Sequence, residues 1–93
     1  MVVRRYRVTG RVQGVGYRNF VEHLAGKLHL GGFVRNRRDG SVEVLATGTP
    51  EQLQKFRVGL EKGPVMARVE HVSEEPGVMN SGDEQTFRIE FTE

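Results

Sequence analysis

Ninety-three residues are enough for one small core, and 37% hydrophobic with 28% charged residues exclude a disordered or membrane-embedded chain. The absence of cysteine excludes disulfides, thiolate nucleophiles and thiolate metal sites. The net charge of +2 hides an asymmetry: residues 1–38 sum to +8 and residues 39–93 to −6. Such clustering fits either an anionic partner or a solubilising strand face, and for Arg4, Arg5 and Arg7 both readings stand. No apolar run has the length of a membrane span or signal segment, so we expect one cytoplasmic domain over residues 1–93.

Residues 3–12 alternate, with Tyr6, Val8 and Val12 on one face and Arg5, Arg7, Thr9 and Arg11 on the other. This is the period of a half-buried strand. Gly10 falls on the apolar face, where a missing side chain admits a close neighbour. A short glycine-bearing loop follows, Gln13, Gly14, Val15, Gly16 and Tyr17. Over residues 18–29 the period becomes helical, with Phe20, Val21, Leu24, Ala25 and Leu28 forming a stripe that Gly31 and Gly32 are expected to end.

A strand over 33–37 and its return over 41–47 are predicted around the turn signal Asp39-Gly40. Thr49, Pro50 and Gln52 have the spacing of an N-cap, a first helical position and a capping box, so a second helix should run to about Gly63. A fourth strand over 67–72, a polar loop over 76–84 and a final alternating strand over 85–91 complete the chain. The final strand is either an edge addition or part of a long hairpin. The order is that of a split βαβ unit, an α+β sandwich with an antiparallel sheet and two helices on one face.

The 13–18 loop is the first candidate site. Glycines between a strand and a helix N-terminus let backbone N–H groups converge where the helix dipole is positive. Arg18, in the first turn, adds a guanidinium able to grip a phosphate or carboxylate with two bonds. The loop is neither a P-loop, since no Lys-Ser or Lys-Thr pair exists, nor a dinucleotide fingerprint, since position 19 is Asn19. By spacing alone it is also an ordinary tight connection. Asn36 is the second candidate: its amide can hold a water, or simply cap the turn that follows. His23, His29 and His71 lack metal-ligand spacing, and no cofactor is implied. Arg35, Arg37 and Arg38 fit a positive field around the site and a solvated turn equally well.

Gly10-Arg11-Val12-Gln13-Gly14-Val15-Gly16-Tyr17-Arg18 resembles the first signature of the acylphosphatase family. Residues 32–43, from Gly32-Phe33-Val34-Arg35-Asn36 to Gly40-Ser41-Val42-Glu43, resemble its second. The resemblance implies a ferredoxin-like fold and hydrolysis of acyl phosphates without a metal. It implies Arg18 and Asn36 as catalytic residues, and Gln13, Gly14, Val15, Gly16, Tyr17 and Arg18 as the phosphate-binding loop. Inorganic phosphate is then the product and a competitive inhibitor, and a monomer is expected. The sequence departs from the family's usual residues at Phe33, Tyr17 and Arg37, the last standing where a smaller hydroxyl residue is frequent. The rival reading is a non-catalytic anion- or RNA-binding module. Against nucleic acid, the outward face of the first strand shows arginines and a threonine, not stacking aromatics.

Overall fold

A computed structural model of the chain describes residues 1–80, 82 and 86–92. Its elements are β1 (Val2–Arg11), α1 (Tyr17–Lys27), β2 (Gly31–Asn36), β3 (Val42–Gly48), α2 (Pro50–Lys62), β4 (Arg68–Pro76) and β5 (Phe87–Ile89). The sheet order is β4-β1-β3-β2-β5, with both helices packed on one face in a ferredoxin-like α+β arrangement. Tyr6 and Val8 of β1, Val34 of β2, and Val42, Val44 and Ala46 of β3 form the sheet side of the core. Val21 and Ala25 of α1 and Leu53, Phe56 and Leu60 of α2 cover them. The Phe56 ring bridges the layers edge-on, 5.7 Å from Tyr6 and 6.1 Å from Phe87.

The sheet is mixed, which corrects the expectation of an antiparallel one. β1 pairs antiparallel with β3 and β4, and β2 with β3, but β5 runs parallel to β2. β4 lies at one edge and β5 at the other, so the chain crosses between edges before its last strand. An alternation of Phe87 and Ile89 reads the same for either strand direction, so the sequence carries no signal for this pairing. The final strand is also shorter than expected, and the Gln85 start lies outside the described residues. β4 is longer, continuing through Glu74, Glu75 and Pro76. An edge strand tolerates charges and a proline that a central strand rejects.

The local signals otherwise act as chemistry dictates. Thr49 caps α2, accepting from the Gln52 N–H, while the Gln52 side chain accepts from the Thr49 N–H. Gly10 sits at a bulge with φ 120°, where a Cβ would lie 2.2 Å from the Arg68 carbonyl oxygen. At the end of α1 the left-handed residue is His29 (φ 59°), whereas Gly31 and Gly32 belong to β2. Leu30 N–H reaches Ala25 O at 2.9 Å and His29 N–H reaches Gly26 O at 3.2 Å, the paired bonds of a Schellman end. Between β2 and β3 the Asp39 carboxylate accepts from the Ser41 hydroxyl and N–H and from Arg7. Those bonds, Ser41's first, hold it well below the usual carboxylate range.

Pairing accounts for part of the charge asymmetry. Arg4 meets Glu74 at 3.3 Å, Arg5 meets Glu43 at 3.4 Å and Arg7 meets Asp39 at 2.7 Å. These three arginines of β1 are thus met by acids of the second half.

Candidate active site

The cradle begins where β1 ends. Gly14 and Gly16 take φ values of 73° and 80°, a left-handed geometry that turns the chain sharply into α1. Gly16 is the N-cap and offers no side chain to the helix, and no acidic residue occupies the first turn. The first backbone bond of the helix runs from Phe20 N–H to Gly16 O, at 3.1 Å. The amides before Phe20 therefore keep their hydrogens and the positive end of the helix dipole for an outside acceptor.

Arg18 stands in that first turn and is half-buried. Its Nη1 lies 3.5 Å from the Glu90 carbonyl oxygen, at the outer limit of a hydrogen bond. Among the described residues no carboxylate comes within ion-pair distance of it, unlike Arg4, Arg5 and Arg7. Its charge is available to a ligand.

Asn36 is the last residue of β2 and shares a cleft of about 310 Å³ with Gly14, Gly16, Tyr17 and Arg18. Its Oδ1 is buried and accepts no hydrogen bond from any described group. A buried acceptor left so costs about 1–3 kcal/mol.

The structure therefore gathers five of the sequence candidates: Gly14, Gly16, Tyr17, Arg18 and Asn36. Gln13 and Val15 do not line the cleft. Val15 packs against the core, and the Gln13 Nε2 donates to Arg37 O at 2.7 Å and Ser41 O at 2.9 Å. Those bonds tie the cradle loop to the hairpin that carries Asn36. Tyr17 presents its ring inward and donates its hydroxyl to Leu60 O at 2.8 Å, joining α1 to α2. The cleft also has walls that sequence reading missed: Val12, Asn19 and Ile89. Ile89 gave only its strand alternation, which does not say that β5 docks beside β2. No described group of three His, Cys, Asp or Glu is arranged to hold a metal, and no described helix is long and apolar enough to cross a membrane.

A family model described as acylphosphatase matches residues 4–89. The acylphosphatase of Koribacter versatilis is 54% identical over 89 residues, covering 96% of this chain and 80% of the relative. That of Rhodopseudomonas palustris (strain BisB18) is 51% identical over 82 residues, covering 88% and 83%. The crystal structure of acylphosphatase from Bacillus subtilis superposes with a TM-score of 0.89 at 40% identity, covering 96% of this chain and 98% of that one. The match spans β1, the cradle, the Asn36 hairpin and β5, all the elements that build the cleft, and the chain belongs to the acylphosphatase family.

Proposed function

We propose that this cleft hydrolyses acyl phosphates to a carboxylate and inorganic phosphate, with Arg18 and Asn36 in separate roles. The cradle amides and the Arg18 guanidinium hold the terminal phosphoryl group and take up charge as the transition state forms. Asn36 Oδ1 accepts one hydrogen of a water and turns the water's lone pair toward phosphorus. The oxygen–phosphorus bond forms as the phosphorus–acyl oxygen bond breaks, in line. The carboxylate leaves with the electron pair, and the water's proton passes to a phosphoryl oxygen. A carboxylate is a good leaving group, so the path uses neither a side-chain acid nor a metal.

The observation that carries this reading is the buried Asn36 Oδ1 without a partner, in one cleft with the helix start and the Arg18 guanidinium. The whole chain acts as one monomeric cytoplasmic domain, and inorganic phosphate competes with substrate for the cradle. The RNA-binding alternative drew on the arginines of β1, and Arg4, Arg5 and Arg7 are engaged by acids of the chain itself.

The test is turnover of an aryl acyl phosphate with EDTA present and phosphate as competitor. Losing one preorganised donor of this kind costs about 3–4 kcal/mol, so Arg18→Ala should lose about 10²–10³ in kcat and most phosphate affinity. Asn36→Ala should lose turnover and keep phosphate binding. An Asn36→Ala protein with near-normal turnover would falsify the water-orienting role, and activity abolished by EDTA would overturn the metal-free path.

A further inference from the structure

Asn36 is flanked by two arginines whose side chains leave the sheet on the opposite face. Strand alternation sends Arg35 and Arg37 away from the helices, while Val34 enters the core and Asn36 faces the cleft. Both arginines reach one atom. Glu43 Oε1 accepts from Arg35 Nε at 2.7 Å and from Arg37 Nη1 at 3.0 Å. Arg5 of β1 approaches Oε2 of the same carboxylate at 3.4 Å. Glu43 sits opposite Arg35 in the β2–β3 register and is only 4% exposed.

Burying a carboxylate is costly unless guanidiniums surround it, and three do so here. A charge placed for solubility needs none of this burial. We propose that Glu43 is a positioning residue for the hydrolysis: by clamping the side chains on either side of Asn36, it fixes the end of β2 and so the aim of the Asn36 amide into the cleft. The inference rests on the proposed role of Asn36.

The need for such a clamp is visible at the site. Asn36 is the last residue of β2, where a strand has the fewest neighbours to hold it. Its own Oδ1 makes no bond within the described protein, so no such bond orients it. From the cradle loop Gln13 grips the Arg37 carbonyl, and from β3 Glu43 grips the Arg37 side chain. The hairpin end is thus held by both its backbone and its side chain. This also explains why a long arginine at position 37 does not crowd the cleft: its guanidinium lies across the sheet.

The experiment compares wild type, Glu43→Gln, Asn36→Ala and the double variant, all checked for folding by circular dichroism. Glu43→Gln keeps the shape and removes the charge that holds three guanidiniums. Its kcat on an aryl acyl phosphate should fall about tenfold, within the hundredfold that small misplacements cost. KM and the inhibition constant of phosphate should stay within about twofold, because the cradle and Arg18 are untouched. The double variant should be no slower than Asn36→Ala alone, since both changes remove one function.

If Glu43→Gln does not fold, Arg35→Gln with Arg37→Gln opens the same clamp from its outer ends and carries the same expectation. A folded variant with normal kcat, or losses that multiply in the double variant, would overturn the inference while Asn36 keeps its role. If Asn36→Ala itself keeps full turnover, the proposed function fails and the inference falls with it.

Discussion

Gln13 offers the sharpest separation of bracing from phosphate contact. Its Nε2 makes two bonds, to Arg37 O and Ser41 O, at 2.7 and 2.9 Å. Each neutral bond contributes about 0.5–1.5 kcal/mol net. In Gln13→Ala both carbonyls keep a backbone donor, Gly40 N–H for Arg37 O and Arg37 N–H for Ser41 O. No full desolvation penalty is therefore added, and the loss should be about 1–3 kcal/mol. For a domain of this size that lowers Tm by roughly 4–24 °C. The loosened loop should also lower kcat/KM by about ten- to hundredfold, because the cradle and Asn36 no longer share one frame.

Gln13→Glu keeps the shape but turns a carboxylate toward two carbonyl oxygens, so at neutral pH it should be less stable than Gln13→Ala. Burial and the carbonyl dipoles raise that carboxyl's folded pKa above its unfolded value, so the excess destabilisation is relieved as pH falls. The assay is thermal melting at several pH values, alongside the inhibition constant of phosphate measured well below Tm. A Gln13→Ala protein with unchanged Tm and a weakened phosphate constant would refute the bracing role and make the side chain a ligand contact.

Tyr17→Phe removes the hydroxyl bonded to Leu60 O and should cost about 1 kcal/mol by chemical denaturation while leaving turnover intact; a loss of turnover would place the hydroxyl in the reaction. Gly10→Ala would drive a Cβ to 2.2 Å from the Arg68 carbonyl oxygen, so β1 and β4 must part locally, at about 3–5 kcal/mol from strain and overpacking together. Gly40→Ala, with φ 93° but open space around it, should cost only about 1–2 kcal/mol, and equal urea midpoints for the two would contradict the packing argument. Burial first, and then the Glu74 carboxylate, push the Tyr6 phenol from its ordinary 10.0 up to about 12, and burial raises Tyr17 as well. A raised folded pKa gives stability that is complete below the unfolded value and lost as pH rises through the folded one. Urea midpoints should hold to about pH 10 and fall between pH 10 and 12; a flat profile there would mean the phenols ionise as easily when folded.

Local order in this chain is written locally. The Thr49–Gln52 box, the alternation of β1 and the Asp39-Gly40 turn each need only a few adjacent residues, and each formed where its chemistry placed it. The end of α1 shows the limit of such rules. Two glycines stood ready to take the left-handed position, yet His29 takes it, because burying Leu30 and starting β2 at Gly31 outweigh the roughly 1–2 kcal/mol of backbone strain. The parallel docking of β5 is another non-local choice. It supplies Ile89 and the Glu90 carbonyl to the site, and nothing within residues 87–91 specifies a partner more than 50 positions earlier.

The arginines show the same division more sharply. Their number in the first 38 residues was plain, but their purpose depended on acids far along the chain. Arg4 finds Glu74 and Arg7 finds Asp39 only because β1 lies between β3 and β4. Glu43 stood at the end of the second signature as the one acid in a mostly apolar strand, whereas the register makes it the centre of three guanidiniums. Arg18 differs from those arginines not in residue type but in address. It stands in the first turn of a helix, where the backbone already carries positive charge and where among the described residues no carboxylate stands in reach. A cation beside a positive helix end gains no stability from that neighbour, and this placement is what the proposed phosphate site asks of it.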